Sequence, residues 1–185
     1  MQRPVKSIAT GQNTPVRLQD VQSSKIGRLP TDIAELDRVL GSGIVTGEAV
    51  LVGGDPGIGK STLLMQLAGK LAARDVSVLY VSGEESVEQT KMRADRLQVG
   101  AGPLFLAAET DVVTIVDYLA SVKPRVAIVD SIQTVNDMTL TSAPGTVSQI
   151  RECASRLIRY AKESGTALFL VGHVTKDGSI GPLCG

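Results

Sequence analysis

Gly54-Asp55-Pro56-Gly57-Ile58-Gly59-Lys60-Ser61 satisfies the pattern G-x-x-x-x-G-K-[ST] and is followed by Thr62. Its flanks decide how it is read. Ala49-Val50-Leu51-Val52 precedes it as an unbroken apolar run, the signature of a buried strand. Ser61 to Arg74 follows with Leu63, Leu64, Leu67, Ala68 and Leu71 on one helical face. Strand, glycine-rich loop and helix in that order form a phosphate-binding loop. Glycines let the backbone turn its N–H groups inward, and the helix N-terminus adds partial positive charge. The cradle is therefore Gly54, Asp55, Pro56, Gly57, Ile58, Gly59, Lys60, Ser61 and Thr62. Lys60 is expected to reach the β- and γ-phosphates of a nucleoside triphosphate, and the Ser61 hydroxyl to ligate Mg²⁺. The base is not read by this spacing.

The chain has 185 residues, enough for one domain with a substantial core. That core is aliphatic, because 43% of residues are hydrophobic but only 3% aromatic. Nineteen basic residues balance nineteen acidic ones, so any affinity for nucleic acid must come from a local patch. No apolar run approaches the length of a membrane span, and no charged-then-apolar leader is present. Cys153 and Cys184 lie far apart and His173 is the only histidine, a poor inventory for a structural zinc site. Cys153 is expected beside a helix's apolar face, and a reducing cytoplasm is the expected compartment.

Strand and helix alternate beyond the loop. The spacing predicts strands at 77–81, 103–107, 125–130 and 166–171. It predicts helices from 32 to 40, from the Ser86/Gln89 capping box to about Leu97, from a Thr110 or Asp111 cap to Pro124, and from Thr146 to Ser164. Thr31 is read as the cap of the first of these. In the last, Val147, Ile150, Ala154, Leu157, Ile158 and Ala161 are expected to face inward. Continuous apolar strands alternating with helices imply an α/β fold, a mainly parallel sheet with helices on both faces. Residues 1–27 are polar and broken by turn residues, and read as a flexible lead-in.

In such sheets the chemistry gathers at the carboxyl ends of the strands. Asp130 ends Val126-Ala127-Ile128-Val129 as a Walker B carboxylate would, and is expected to hold Mg²⁺ opposite Ser61. Glu84 and Glu85 follow another strand end. One of them could orient or deprotonate an attacking water; Glu84 is preferred, since dipole stabilisation ahead of a helix accounts for Glu85. His173 follows Leu168-Phe169-Leu170-Val171-Gly172. By position alone a packing or hydrogen-bonding role is favoured over contact to the γ-phosphate.

Several stretches together resemble a known family. They are Arg28-Leu29-Pro30-Thr31, Glu35 to Gly41, Val52 to Leu64, Leu79 to Ser86, Val129 to Thr134, Ser142 to Gly145, Val147 to Cys153 and Phe169 to Lys176. Over residues 26 to 182 the chain resembles the ATPase domain of the bacterial RadA (Sms) family, RecA-like proteins of DNA repair and recombination. The resemblance implies a RecA-like P-loop fold over 28–185, with the strand before His173 lying between the loop strand and the Asp130 strand. It implies ATP as the nucleotide, Glu84 as the catalytic carboxylate and His173 as a γ-phosphate sensor. It further implies coupling of turnover to single-stranded DNA and to branch migration of recombination intermediates, in ring hexamers. DNA would meet the segments after Asp130 (Val135 to Thr146) and after His173 (from Thr175-Lys176). Arg151, Arg156, Arg159 and Lys162 share an outer face of the 146–164 helix, which reads first as a solvated surface partly neutralised by Glu152 and Glu163.

The family's four-cysteine zinc element, its Lys-Asn-Arg-Phe-Gly motif and its Lon-like domain have no counterpart here, and the chain is expected to be a C-terminally truncated ATPase core. Alternatives are a regulatory RecA-like ATPase of the circadian-clock type, a nucleotide-binding fragment without turnover, and a phosphotransferase acting on a small acceptor.

Overall fold

A computed structural model describes residues 15–20, 27–100, 102–140, 142–143 and 145–173. Most of the expected lead-in, Cys184 and the Thr175-Lys176 segment lie outside these. Five parallel strands form the main sheet in the order β3-β7-β6-β4-β5, where β3 is Ala49–Gly54, β4 Val78–Ser82, β5 Leu104–Ala108, β6 Val126–Asp130 and β7 Ala167–His173. β7 thus separates the loop strand from the Asp130 strand, the order the resemblance implies. A small antiparallel pair, β1 (Arg28–Leu29) with β2 (Ile44–Val45), precedes it and went unrecognised in the sequence.

The central strands β4, β6 and β7 are buried along almost their whole length, which is why each reads as a continuous apolar run. Alternation divides their side chains between two layers. Val78, Tyr80, Val126, Ile128, Phe169 and Val171 pack with Leu64, Leu67 and Leu71 of α2 (Lys60–Ala72). Leu79, Val81, Ala127, Val129, Leu168 and Leu170 pack against α4 (Val112–Val122) and α5 (Val147–Ser164) on the other face. Leu63 is half-buried, but Leu64, Leu67 and Leu71 are each withdrawn from water, worth about 1.5–3 kcal/mol apiece. That anchors the phosphate-loop helix to the sheet.

Caps set most helix ends. Ser86 and Gln89 form the reciprocal box that opens α3 (Val87–Arg96). Asp111, not Thr110, caps α4, and Lys123 ends it in a left-handed conformation just before Pro124. Thr146 caps α5.

Two expectations need correction. α1 spans Ala34–Val39, so Thr31 is not its N-cap. Thr31 is instead buried, with its N–H on Asp37 Oδ1 at 2.8 Å, and Asp32 adopts φ +58. Within α5, Val147 faces solvent at 44% exposure, and the inward position goes to the polar Gln149. Gln149 Oε1 accepts from Asp137 N–H at 2.9 Å, while its amide donates to Asp137 O at 3.2 Å and Ser142 O at 2.8 Å. Backbone groups of the segment after β6 would otherwise be buried unpaired.

Candidate nucleotide site

The loop Asp55 to Gly59 passes from β3 into α2. Gly57 at φ +79 and Gly59 at φ +99 hold backbone that side chains avoid, and a Cβ on either would meet nothing within 4 Å. Open space therefore lies over the loop. Gly59 is the N-cap of α2 and offers no capping side chain, so the first-turn N–H groups have only an external ligand to meet. Ile58 is exposed on the loop and Ser61 is half-buried in the first helical turn.

Lys60 is buried to 7% exposure, a cation drawn into the site. Its Nζ donates to Gly54 O at 2.7 Å and Asp55 O at 2.8 Å, and lies 3.4 Å from His173 Nδ1. An ammonium has only donors, so in a hydrogen bond between these two Nδ1 is the acceptor, and it is the ring's other nitrogen, Nε2, that faces Glu84. That nitrogen lies 3.4 Å from Glu84 Oε1, which also accepts from Ser131 Oγ at 2.7 Å. Lys60, His173 and Glu84, drawn from three separated stretches, thus form one polar chain across the ends of β3, β7 and β4.

The register explains this convergence. Gly54 pairs with His173 and Ser82 with Asp130, so the strand ends are level in pairs, and β7, whose Leu170 pairs with Val129, runs past the end of β6 to bring His173 over the ends of β6 and β4. Below His173, its carbonyl accepts from Gln133 Nε2 at 3.0 Å.

Glu85 lies elsewhere. It is 2.8 Å from Arg93 Nη2 and accepts weakly from Thr90. The two adjacent carboxylates therefore have different partners: Glu84 faces the chain to Lys60, and Glu85 is tied to α3. Asp130 is 7% exposed and accepts from the Tyr80 hydroxyl at 2.5 Å. Burial above all, with the Asp130 charge and the hydrogen bond to it, pushes the Tyr80 phenol upward, so it acts as a donor throughout the physiological range. The Asp130–Ser131 peptide is cis.

The donor set suits a nucleoside triphosphate with a hard divalent cation. Phosphate oxygens match the loop N–H groups and Lys60; a carboxylate and a hydroxyl, Asp130 and Ser61, are the oxygen ligands such a cation takes. No cluster of three or more metal-ligating side chains occurs among the described residues. A cleft of about 840 Å³ lined by Ser77, Arg125 and Thr166 lies at the other end of the sheet and plays no part in this site.

Reading the sequence missed Tyr80, Arg93, Ser131 and Gln133. A hydroxyl-bearing ring inside an aliphatic strand was a usable sign for Tyr80; Arg93 carried none. The proposed DNA-facing parts also change. Val135 and Asp137 are buried, which leaves Met138, Thr139 and Ala143 as the exposed residues among those described in that stretch. Arg156 is paired with Asp137 at 2.7 Å and does not join a free basic face.

Sheet order, loop and strand-end carboxylates together define a RecA-like P-loop nucleotide-binding domain. A family model described as an AAA domain matches residues 12–179, and the chain belongs to that family. It is 54% identical to the DNA repair protein RadA of Halalkalibacterium halodurans over 166 residues, covering 90% of this chain and 36% of that protein. Against the RadA of Bacillus subtilis the identity is 51% with the same coverage. Against that of Pseudomonas aeruginosa it is 53% over 163 residues, 88% of this chain and 36% of the relative. The chain therefore spans about a third of the length of these relatives. Among solved structures, a DnaB-like replicative helicase studied with primase superposes with a TM-score of 0.69 at 14% identity, over 83% of this chain and 45% of that one. This last likeness concerns the fold. No helix among the described residues is long and apolar enough to cross a membrane.

Proposed function

We propose that this chain is the ATP-hydrolysing core of a DNA repair machine, binding ATP with Mg²⁺ at Gly54–Thr62 and coupling its turnover to single-stranded DNA and recombination intermediates. The observation that carries the reading is the chain from Lys60 through His173 to Glu84 and Ser131. The names of the relatives support the repair context; the family resemblance supports a ring of six copies, and the sparse, separated cysteines support a reducing cytoplasm.

Lys60 binds the β- and γ-phosphates by exchanging one or more of its three present contacts for phosphate oxygens. Ser61 and Asp130 would hold Mg²⁺, which would supply positive charge against the phosphates. Glu84 is 45% exposed at its side chain, within reach of water, and its Oε1 orients the attacking water or accepts its proton. Ser131 and His173 fix that oxygen. Because His173 touches both Lys60 and Glu84, movement of Lys60 onto a γ-phosphate alters the position of His173 and its hold on Glu84.

ADP release by the wild type, Glu84→Gln and Glu85→Gln, with and without single-stranded DNA, tests this. Glu84→Gln should lower turnover by roughly a hundredfold or more, and Glu85→Gln should leave most of it. DNA should raise the wild-type rate. Equal losses in the two variants would remove Glu84 from its role. An unchanged rate on adding DNA would favour a regulatory ATPase.

A further inference from the structure

Asp130 is held from behind. Tyr80 and Ile128 are register partners on β4 and β6, and Ser82 pairs with Asp130. Tyr80 is therefore diagonal to Asp130 on the same sheet face, and its hydroxyl meets Oδ2 at 2.5 Å. Arg93, reaching in from α3, is only 10% exposed at its side chain. One guanidinium nitrogen lies 3.7 Å from the same Oδ2, the other donates to the Tyr80 oxygen at 3.3 Å, and the group lies 5.5 Å from the Tyr80 ring centre. Glu85 balances its charge at 2.8 Å.

A buried strand that needed only apolar volume at position 80 would be served by phenylalanine. A buried arginine is costly without partners that use its fork. Both side chains converge on one oxygen of one carboxylate.

We propose that Tyr80 and Arg93 are positioning residues for the cation site: they fix Asp130 by Oδ2 and present its other oxygen to Mg²⁺. Glu85 completes the bracket as the counter-ion of Arg93, which gives the second of the adjacent glutamates a structural purpose distinct from that of Glu84. Groups that orient a metal-binding carboxylate set its affinity without touching the ion. This inference rests on the nucleotide-site reading above.

The test is calorimetric binding of a non-hydrolysable ATP analogue to the full chain, first in EDTA and then across a Mg²⁺ titration. Tyr80→Phe should leave binding in EDTA unchanged and raise the Mg²⁺ concentration for half-maximal tightening by roughly tenfold. Arg93→Lys should shift it in the same direction by less. In an Asp130→Asn background, Tyr80→Phe should produce no further shift. A Mg²⁺ dependence identical to wild type in Tyr80→Phe, or the same shift with and without Asp130, would overturn the bracket. Should Tyr80→Phe fail to fold, Arg93→Lys in the two backgrounds decides by the same criterion. Lys60→Ala separates the two levels: analogue binding indifferent to that substitution would sink the nucleotide site itself, whatever Tyr80 does.

Discussion

Replacing Gly83 with alanine tests the packing behind the candidate catalytic carboxylate. Gly83 joins β4 to Glu84, its N–H donates to Asp130 O at 2.8 Å, and its φ is not positive. Alanine therefore carries no backbone penalty there, and by stiffening the unfolded chain it would add about 0.4–1 kcal/mol of stability in open space. The space is not open. A Cβ would lie 1.9 Å from Thr134 Oγ1 and 2.9 Å from Thr134 Cβ. Rotation about χ1 could remove the first contact at the cost of the Thr134 Oγ1 hydrogen bond to Ser131 O, now 2.8 Å and worth about 1 kcal/mol. No rotation moves the Thr134 Cβ, so the backbone must shift, at about 1–3 kcal/mol for overpacking. The expected net loss is about 1–3.5 kcal/mol, a fall in melting temperature of roughly 2–14 °C for a domain of this size.

Far-UV circular dichroism melts read this directly. In a Thr134→Gly background the obstruction is gone, and Gly83→Ala should cost nothing further. A Gly83→Ala variant melting at or above the wild-type temperature, or losing equal stability in both backgrounds, would refute the packing argument. Ser131 shares this turn with Thr134, so the same variant should also weaken turnover through Glu84, and Thr134→Gly should not compound that loss.

Other consequences follow from burial and charge. Phe169→Ala empties the middle of β7, where the ring is fully buried, and should cost about 3–5 kcal/mol in urea unfolding; Phe105→Ala on the edge strand, with the ring 46% exposed, should cost less than about 1 kcal/mol. Asp137 is held below the usual 3.8 first by the Thr139 hydroxyl and Thr139 N–H, with Arg156 adding a charge. A folded-state value that is depressed means stability is present above the unfolded value and lost as pH falls through the folded one. The wild type should thus lose melting temperature more steeply below about pH 4 than Asp137→Asn, as melts across a pH series would show.

The elements that were legible in the sequence are those whose signal is local. β6 and β7 are apolar because both faces are covered, and the Ser86/Gln89 box and the Thr146 cap are written in single residues. Their boundaries moved where polar residues continue a ladder: β7 runs on to His173 because Gly54 pairs with it, and β4 to Ser82 because Asp130 does. Gln149 was missing from the residues expected to face inward because apolar periodicity does not register buried backbone groups in need of partners, here those of Asp137. Thr31 looked like a cap by composition, yet the carboxylate that takes its N–H sits six residues on, in α1.

At the candidate site, the loop and the three strand-end residues were legible as types. That Lys60, His173 and Glu84 meet was not, since it depends on β7 lying between β3 and β6. Only the family resemblance anticipated that order. Arg93 reaches Asp130 through a helix packed against the sheet, and nothing within its own stretch of sequence marks it.

The central claim is that the Gly54–Thr62 loop holds the phosphates of ATP through Lys60. Equilibrium binding of labelled ATP with Mg²⁺ to wild type and Lys60→Ala tests it most directly, with melts confirming that both are folded. The account predicts one nucleotide per chain for the wild type and at least a roughly tenfold loss of affinity in the variant, the effect of removing a charge-assisted contact worth about 1.5–3 kcal/mol. Equal affinity in the two proteins, or no ATP bound by a folded wild type, would contradict it.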